Sequence, residues 1–435
     1  MKCDNVALLF VKNKLYNNKD IWRIEMEKFI RWNKKIVTKA MATRRVVIIS
    51  GARQVGKTTL TEQALQGNQF TMRSLDDTTL LKTALDDPKG FLVHSAKTMV
   101  IDEIQKAPLL IPEIKRVVDK NDDKGQFVLT GSANISSRPE VNESLAGRVK
   151  NIRLRSLTEG EIRGVEPTFI ERAFNKNFPD KIEECTKHNI LEIAFRGGYP
   201  EPVLLSKEDR ADWHEDYVHT LFNRDLKDIA NIKREDAIRQ VLMTLAAWSS
   251  KYMDIEGICS SCQISKPTLT EYINFIEELY LCERVPAWIR TDYDRVGKRD
   301  KFYMTDTGLM ASILKWHYDQ VALDADRYGK IIETFVFNEL KAQIDLNYDY
   351  NLYQYRDREN REIDFIIEDR NGDMVGIEVK GGSRISKEDF KHMEWFKNNL
   401  VKDKKFIGII LYSGENTLSF REDMVAVPTA CLWYK

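Results

Sequence analysis

Residues 51–58 limit the fold of this chain more than any other stretch. They read Gly-Ala-Arg-Gln-Val-Gly-Lys-Thr, which matches the G-x-x-x-x-G-K-[ST] pattern of a phosphate-binding loop, or P-loop. The β-branched run 46–49 before it is typical of a buried strand, and residues 58–65 have a helical pattern. This context argues against a chance glycine-rich turn. The sequence therefore predicts a strand, a phosphate-binding loop and a helix in direct succession.

The residue types in the loop have distinct predicted roles. Gly51 and Gly56 let the backbone curl so that successive N–H groups point at phosphate oxygens, beside the positive end of the next helix. Lys57 is expected to reach the β- and γ-phosphates, and the Thr58 hydroxyl is expected to ligate Mg²⁺. The predicted cofactors are therefore ATP and Mg²⁺. The loop residues predicted to contact the nucleotide are Gly51, Ala52, Arg53, Gln54, Val55, Gly56, Lys57, Thr58 and Thr59.

Hydrolysis needs acidic groups in addition to the loop, and the apolar run 98–101 ends in two of them. Asp102 is expected to hold the water shell of Mg²⁺, and Glu103 to orient and polarise the attacking water. A strand that ends in a solvated acidic turn is the alternative. The P-loop upstream favours the catalytic interpretation.

Polar residues also follow the next predicted strand, 126–130. Ser132 and Asn134 are the candidates for a sensor that touches the γ-phosphate or the attacking water, with Thr130 close behind. A simple turn at the strand end is the alternative. Further along, Arg148 follows a glycine break and is a candidate arginine finger, acting in its own subunit or in a neighbour's. Capping of a helix C-terminus is an equally good explanation of that arginine.

Composition narrows the class of protein. The 435 residues contain 67 Lys and Arg and 67 Asp and Glu, so no global charge draws the chain to DNA or to an anionic membrane. Mean hydropathy is −0.44 and no apolar run approaches a membrane span, so we expect a cytoplasmic protein without a membrane partner. The six cysteines are scattered, and Cys259 and Cys262 are expected to serve helix packing rather than zinc binding or redox chemistry.

The pattern of 255–280 predicts two helices joined by a short turn. The first helix spans 255–262, the turn 263–265, and the second helix 267–280, with Pro267 in its first turn. A wing is expected to follow, with a basic tip that could contact phosphates, comprising Arg295, Lys298, Arg299 and Lys301. Direct DNA contact and service as a packing module remain as alternatives for this region.

The last third carries a second group of charged residues. Strand 362–367 and its hairpin partner 374–380 contain Asp364, Glu378 and Lys380, the D…E-x-K layout of a restriction-endonuclease-like fold. Glu378 and Lys380 share one strand face because side chains alternate. Glu333, in helix 328–344, is expected to add a carboxylate, so that Glu333, Asp364 and Glu378 hold Mg²⁺ while Lys380 assists cleavage. A solvated charged face is the alternative, and such a fold can also act only as a binding module.

Many motifs in one order resemble an AAA-type ATPase family of bacteria and archaea whose C-terminal part is a domain of unknown function. The resemblance covers residue 40 to the end and leaves the first 25 residues outside. It implies an ATPase domain with an additional strand, favours Arg148 as an arginine finger, and places a winged helix after the ATPase domain. The motifs are G-A-R-Q-V-G-K-T-T, S-L-D-D, V-I-D-E-I-Q-K-A-P, L-T-G-S-A, S-L-A-G-R, R-G-G-Y-P-E, N-R-D-L, T-D-T-G-L, I-D-F and I-E-V-K.

These observations predict an α/β chain with several domains. We expect an AAA-type P-loop ATPase with a parallel sheet, then a helical and winged-helix region, then a restriction-endonuclease-like domain of the PD-(D/E)xK type. The predicted segments are 1–40 (extension and lead-in helix), 41–165 (ATPase), 166–245 (helical lid or connector), 246–320 (winged helix) and 321–435 (nuclease-like). Two functions are compatible with them. One is an ATPase that controls a nuclease-like module acting on DNA, and the other is a nucleotide switch whose C-terminal half only binds DNA or a partner protein. Action of Arg148 in a neighbour would require a homo-oligomer.

Overall fold

The computed structural model describes residues 29–132, 144–182, 186–222, 235–290, 299–347 and 349–434. Its contacts divide the chain after Leu154, so that one unit ends there and the other begins at Arg155. In the first unit the helices and strands are α1 (Asn33–Thr43), β1 (Val46–Ser50), α2 (Lys57–Leu65), β2 (Phe70–Ser74), α3 (Thr78–Asp86), α4 (Pro88–Phe91), β3 (Thr98–Asp102), α5 (Leu110–Lys120), β4 (Phe127–Gly131) and β5 (Val149–Arg153).

The first unit is built on a parallel sheet with strand order β2-β3-β4-β1-β5. All five residues of β1 and of β4 are buried, as expected for strands covered on both faces. Alternate residues of β1, β3 and β4 pack against the apolar side of α5, which supplies Leu110, Ile111, Ile114 and Val118. Because every strand runs in the same direction, the carboxyl ends of β1, β3 and β4 meet at one edge of the sheet.

Helix α1 belongs to this first unit rather than to a separate extension. Its Val37 and Ala40 are buried, and the helix packs against α2, β1 and β5. The predicted boundary at residue 40 falls inside this helix. The other predicted boundary of the ATPase domain, residue 165, lies beyond Leu154 because the short helix at 159–162 packs within the second unit, where the Glu159 N–H donates to Glu339 Oε1 at 2.7 Å.

The second unit contains more helices and two further sheets. Its elements are α6 (Glu159–Ile162), α7 (Phe169–Asn175), α8 (Lys187–Arg196), α9 (Pro200–Leu204), α10 (Lys207–Thr220), α11 (Glu235–Ala247), β6 (Lys251–Tyr252), α12 (Ile255–Cys262), α13 (Lys266–Glu278), β7 (Cys282–Val285), β8 (Lys301–Met304), α14 (Thr307–Ile313), α15 (Tyr318–Leu323), α16 (Ala325–Ile344), β9 (Tyr350–Arg356), β10 (Glu362–Asp369), β11 (Met374–Lys380), α17 (Lys391–Leu400), β12 (Phe406–Tyr412), β13 (Leu418–Arg421) and β14 (Met424–Pro428).

The larger sheet of this unit is mixed, with strand order β13-β14-β12-β11-β10-β9. Strands β10 and β11 form the predicted antiparallel hairpin, while β12 is parallel to both β11 and β14. One face packs on α16, α7 and α8, and these helices share a single apolar core with the sheet. The other face packs on α17 through Met393 and Phe396. The three predicted C-terminal segments therefore lie within one unit.

Helices α12 and α13 form the predicted helix–turn–helix pair. Gln263 ends α12 in a left-handed conformation, and the Ser265 hydroxyl accepts a hydrogen bond from the Thr268 N–H at 3.3 Å at the start of α13. Ser265, Lys266 and Thr270 are exposed, and Cys262 is buried. The pair is followed by β7 and β8, which form a three-stranded antiparallel sheet with β6.

One buried carboxylate in this unit joins two of the sequence motifs. Asp306 caps α14 by accepting the Leu309 N–H at 2.9 Å, and its other oxygen accepts the Gly198 N–H at 2.8 Å. A Cβ at residue 198 would lie 2.0 Å from the Leu157 carbonyl oxygen, so this approach requires glycine. The segments R-G-G-Y-P-E and T-D-T-G-L are thus held together by one side chain.

No helix in the described parts of the chain is both long enough and apolar enough to cross a membrane.

Candidate nucleotide site and carboxylate cluster

The P-loop follows β1 at the carboxyl edge of the first sheet. Gly51 lies so close to the chain just after β5 that a Cβ would meet the Leu154 carbonyl oxygen at 2.2 Å, and Gly56 has φ +92° where the loop enters α2. Both positions therefore need glycine. Lys57 is buried, and its Nζ donates to the carbonyl oxygens of Gly51 and Ala52 at 3.0 and 2.8 Å. The ammonium group is thus held inside the curve of the loop.

A residue that the sequence did not single out also contacts the loop. The buried Arg31, just before α1, donates from Nη1 to the Val55 carbonyl oxygen at 3.0 Å. This bond ties the lead-in segment to the middle of the P-loop. Its sequence signal was weak, because Arg31 sits in an ordinary amphipathic stretch with no spacing relation to residue 55.

Asp102, the last residue of β3, lies at the same edge. Its Oδ1 accepts a hydrogen bond from the buried Thr130 hydroxyl, and its Oδ2 lies 3.5 Å from the Ser74 hydroxyl at the end of β2. Burial raises the pKa of the Asp102 carboxyl above its usual value, Glu103 adds to the rise, and the Lys57 ammonium acts against it. Hydroxyl groups from the two neighbouring strands therefore contact this carboxylate.

Glu103 follows with a left-handed backbone, φ +57° and ψ +43°. This conformation is uncommon for a residue with a side chain and occurs preferentially at functional sites. Its Oε2 accepts hydrogen bonds from Ser132 Oγ at 3.1 Å and from the Gln105 amide, which also donates to Ser132 Oγ at 3.0 Å. The geometry brings together Glu103, Ser132 and Gln105, of which the sequence singled out the first two. Asn134 lies outside the described residues.

The donor set at this edge suits Mg²⁺. Thr58 stands in the first turn of α2, and Asp102 ends β3 two strands away. A hydroxyl and a carboxylate are hard oxygen ligands of the kind that Mg²⁺ takes together with water and phosphate oxygens. The ion would neutralise charge that develops on the phosphates during transfer.

Arg148 lies at the opposite edge of the sheet. It immediately precedes β5, whose first residue pairs with Val46 at the start of β1. A strand of five residues, about 16 Å long, separates this edge from the P-loop. The Arg148 guanidinium forms a two-pronged ion pair with Asp119 at the end of α5, with Nη2 to Oδ2 at 3.1 Å. Within one chain, this side chain cannot reach a phosphate in the loop.

In the second unit, the predicted hairpin brings the D…E-x-K residues together. Asp364 Oδ2 accepts the Val379 N–H at 2.9 Å, so the carboxylate of β10 is fixed on β11. Lys380 Nζ lies 3.5 Å from Glu378 Oε1, as same-face spacing requires. Burial raises the pKa of the Glu378 carboxyl well above its usual value, and the neighbouring Asp364 charge raises it further.

A lysine from another element occupies the centre of this cluster. Lys301, the first residue of β8, is buried, and its Nζ lies 2.7 Å from Glu333 Oε1, 2.9 Å from Glu362 Oε1 and 3.1 Å from Asp364 Oδ1. Glu333 Oε1 also accepts the Tyr303 hydroxyl at 2.7 Å. The expectation that Lys301 forms part of an exposed basic tip is therefore wrong. Strand β8 begins at residue 301 and directs this side chain into the unit; Arg295 and Lys298 lie outside the described residues.

The electrostatics of the cluster follow from this placement. Burial lowers the pKa of the Lys301 ammonium, but Glu333, Tyr303, Asp364 and Glu362 together raise it by more, so it lies well above its usual value. Burial and the Asp364 charge raise the pKa of Glu333 to about 7, against the opposing effects of Lys301 and Tyr303. The lysine is therefore charged, and one of its carboxyl partners titrates near neutrality.

The predicted Mg²⁺ ligands Glu333, Asp364 and Glu378 do not fit a metal in this arrangement. The ammonium group takes up oxygens of Glu333 and Asp364, and the raised pKa of Glu378 weakens it as an anionic ligand. In the described ranges, no three or more His, Cys, Asp or Glu side chains meet with the geometry of a metal site. The prediction of a metal site at these residues therefore has no support from the geometry.

A cleft of about 620 Å³ opens beside the cluster. Lys301, Glu333 and Glu362 form part of its wall, and Trp248, Tyr252 and Arg356 line it as well. The Arg356 guanidinium lies 4.9 Å from the centroid of the Tyr252 ring. Neither Glu378 nor Lys380 lines this cleft.

Comparison with known families divides the chain at nearly the same place, although the first match extends past Leu154. Residues 43–163 match the model of a family described as an AAA domain. Residues 187–320 and 328–432 match two families that are each described as a domain of unknown function (DUF8612 and DUF4143, respectively). The first unit thus carries an AAA-type ATPase domain.

Individual proteins resemble the chain over most of its length. Uncharacterized proteins of Mycobacterium tuberculosis and Mycobacterium bovis are each 27% identical over 393 residues, which span 90% of this chain and 81% of theirs. Among solved structures, the Walker-type ATPase of Pyrococcus abyssi is 10% identical and covers 65% of this chain and 94% of its own, with a TM-score of 0.39. The RuvB Holliday junction branch migration motor of Thermotoga maritima is 18% identical and covers 59% and 90%, with a TM-score of 0.29.

Proposed function

We propose that the protein hydrolyses MgATP in its first unit and uses the nucleotide state to control DNA binding by its second unit. The observation that carries the enzymatic part is the meeting of Lys57, Asp102, Glu103 and Ser132 at one edge of a parallel sheet. The AAA family match over 43–163 supports the same assignment.

Each side chain has a step in the proposed hydrolysis. Lys57 exchanges its bonds to the loop carbonyls for bonds to the β- and γ-phosphates. Asp102 and Thr58 would hold Mg²⁺, and the ion would neutralise charge on the phosphates. Glu103 orients the attacking water and takes its proton, while Ser132, already bonded to Glu103, keeps that carboxylate aligned.

Arg148 completes this site from a neighbouring subunit. At the edge of the sheet away from the P-loop, its guanidinium is bonded to Asp119 and a little over a quarter of the side chain is exposed. An arginine so placed can only meet the phosphates of another copy of the chain. We therefore propose a homo-oligomer in which Arg148 exchanges Asp119 for a γ-phosphate during turnover.

For the second unit, we propose DNA binding without cleavage. Helix α13 begins at the exposed Lys266, and the exposed Ser265 precedes it. In a helix–turn–helix that binds DNA, the N-terminal residues of the second helix contact base edges in the major groove. Strands β7 and β8 follow it in the order of a winged helix. Cleavage is disfavoured because Lys301 fills the cluster that would have to hold the metal ion. This observation favours the nucleotide-switch hypothesis over the nuclease hypothesis for the isolated chain.

The test combines nucleotide trapping with DNA binding. The Glu103→Gln variant should bind ATP but turn it over about 10²- to 10⁴-fold more slowly, because the general base is lost while the metal ligands remain. Its DNA affinity, measured by fluorescence anisotropy, should differ between the ATP and ADP states. Lys266→Ala should weaken DNA binding and reduce its salt dependence by about one counterion.

The exposed Lys402 offers a matched control, since Lys402→Ala removes the same charge far from α13 in sequence and should leave DNA affinity unchanged. If Glu103→Gln hydrolysed ATP at the rate of the parent, Glu103 would not be the general base. If DNA affinity depends neither on the bound nucleotide nor on Lys266, the second unit would instead be assigned to recognition of a partner protein. Release of cleaved plasmid, linear or single-stranded DNA in Mg²⁺ or Mn²⁺ would reinstate the nuclease hypothesis.

A further inference from the structure

The lysine at the centre of the carboxylate cluster comes from a different sheet than the acids around it. Lys301 begins β8 of the three-stranded sheet, while Glu362 and Asp364 lie on β10 of the six-stranded sheet and Glu333 lies on α16. Its Nζ is within 3.1 Å of an oxygen of each of these three acids. One ammonium group thus connects three separate elements.

The burial of this lysine depends on those acids. Only 2% of the Lys301 side chain is exposed, and an ammonium group without anionic partners would be very unfavourable there. The dependence is mutual, since Glu333, Asp364 and Glu378 are each at most 15% exposed and would repel one another without a nearby cation. The cluster therefore requires one cation at its centre, and the chain supplies it.

The distances identify which kind of cation the site is built around. Separations of 2.7–3.1 Å are those of ammonium–carboxylate hydrogen bonds. A magnesium ion would need oxygens at about 2.0–2.1 Å in a nearly octahedral arrangement. A divalent ion a few ångströms from Lys301 would also experience strong repulsion in a poorly solvated site.

We propose that Lys301 is the built-in cation of this cluster, standing where a nuclease-like site would hold a divalent ion, and that it excludes such an ion. The lysine acts as a latch between β8 and the six-stranded sheet. Because β8 pairs with β7, and β7 follows α13, the latch also anchors the sheet that follows the helix–turn–helix pair. This inference stands independently of ATP hydrolysis and DNA binding in the proposed function.

The test is a titration of the full-length, nucleotide-free protein with Mn²⁺, followed by electron paramagnetic resonance of the free ion. Lys301→Met keeps the length of the side chain and removes its charge. We expect this variant to bind one more Mn²⁺ per chain than the parent. Its affinity for that ion should be at least about tenfold higher than the affinity of the parent for Mn²⁺ at the cluster. Lys301→Arg, which keeps a cation, should behave like the parent.

Two further variants connect the extra ion to the cluster. The double variant Lys301→Met/Asp364→Asn should lose the additional Mn²⁺, while Asp364→Asn alone should take up as much Mn²⁺ as the parent. An Mn²⁺ uptake by the parent that disappears in Asp364→Asn would overturn the proposal, because the ion would then share the site with Lys301. Equal Mn²⁺ uptake by folded Lys301→Met and the parent would also overturn it.

Folding of Lys301→Met is checked by near-ultraviolet circular dichroism. If the variant unfolds, the comparison of the parent with Asp364→Asn decides the question, since it leaves the lysine in place. Thermal unfolding with and without Mn²⁺ compares the parent with Asp364→Asn by a second, independent measurement. Mn²⁺ should move the unfolding midpoints of the parent and of Asp364→Asn by the same amount, and a shift confined to the parent would contradict the latch.

Discussion

The two acidic sites of this chain use the same residue types in opposite ways. At the edge of the first sheet, Lys57 donates to two backbone carbonyls while Asp102 accepts from hydroxyl groups. In the second unit, Lys301 donates directly to the carboxylates of Glu333 and Asp364. The first lysine can exchange neutral carbonyl partners for phosphate at small cost, whereas the second is bound to full negative charges in a buried place.

The comparison shows that the partners of a lysine decide whether a carboxylate site is open to a ligand. The presence of acids and a lysine in sequence does not establish a metal site. At the P-loop edge, the lysine donates to neutral carbonyl oxygens, which a phosphate can replace. In the cluster around Lys301, the ammonium group already contacts oxygens of Glu333, Glu362 and Asp364.

The largest effect should come from removing the lysine of the open site. Lys57→Ala should abolish detectable ATP turnover and weaken nucleotide binding, because the phosphate charge loses its point-charge partner. Isothermal calorimetry with ATP and a phosphate-release assay measure the two losses. Lys301→Met provides the matched lysine in the closed site and should leave ATP turnover in the first unit unchanged. If Lys57→Ala hydrolysed ATP at the rate of the parent, Lys57 would not be the lysine of an open ligand site, and the contrast with Lys301 would be wrong.

A slightly smaller effect should follow from removing the arginine at the far edge of the sheet. Arg148→Ala should lower turnover about 10³-fold and leave ATP affinity nearly intact, since the group acts on charge that develops during transfer. Arg116 lies on α5 with 64% of its side chain exposed, and Arg116→Ala is the matched control that should keep parental turnover.

Mixing inactive variants tests where Arg148 acts. A mixture of Arg148→Ala and Lys57→Ala subunits should regain turnover, because a Lys57→Ala subunit can supply its arginine to an intact P-loop in the other subunit. No recovery in a mixed oligomer that is demonstrated by mass spectrometry would contradict action between subunits.

The smallest expected effect is a loss of stability of the second unit as the pH falls. His214, buried on α10, has its pKa lowered to about 4 by burial and, to a lesser extent, by Arg210. The unfolded chain takes up a proton near pH 6.5 that the folded unit takes up only near pH 4. The stabilisation from neutral His214 is therefore complete above pH 6.5 and is lost as the pH falls to 4, by about 3 kcal/mol.

The measurement compares urea unfolding of the parent and of His214→Gln between pH 7 and pH 4. Buried carboxyls with raised pKa values, such as Glu333, act in the opposite direction, so the difference between the two proteins is the quantity to follow. The parent should lose about 3 kcal/mol more than the variant over this range, and parallel curves would show that His214 is not buried in its neutral form.

Local patterns predicted much of this architecture. The helix at 255–262 has the predicted limits, and the hairpin of β10 and β11 joins the predicted segments. These elements could be predicted because helix and strand periodicity, caps and turn residues act over a few neighbouring positions. The strand–loop–helix order around the P-loop followed from the same kind of signal.

The contacts that decide chemistry were harder to predict. The partners of Lys301 lie 32 to 63 residues away in sequence and come from two other elements, so no spacing pattern reveals them. The position of Arg148 depends on strand direction, and its one available signal was that it precedes a strand rather than follows one. Arg31 was missed for the same reason as Lys301, because its contact with the P-loop depends on how α1 packs.

The double role of Asp306 also limits how this chain can vary. One carboxylate starts α14 and receives the Gly198 N–H, in a space that admits no side chain at residue 198. Residue 198 is held to glycine by the Leu157 carbonyl oxygen, and residue 306 is held to a carboxylate by N–H donors of two separate segments. Each position is therefore constrained on its own, and lineages of this chain should retain both residues rather than exchange them as a pair.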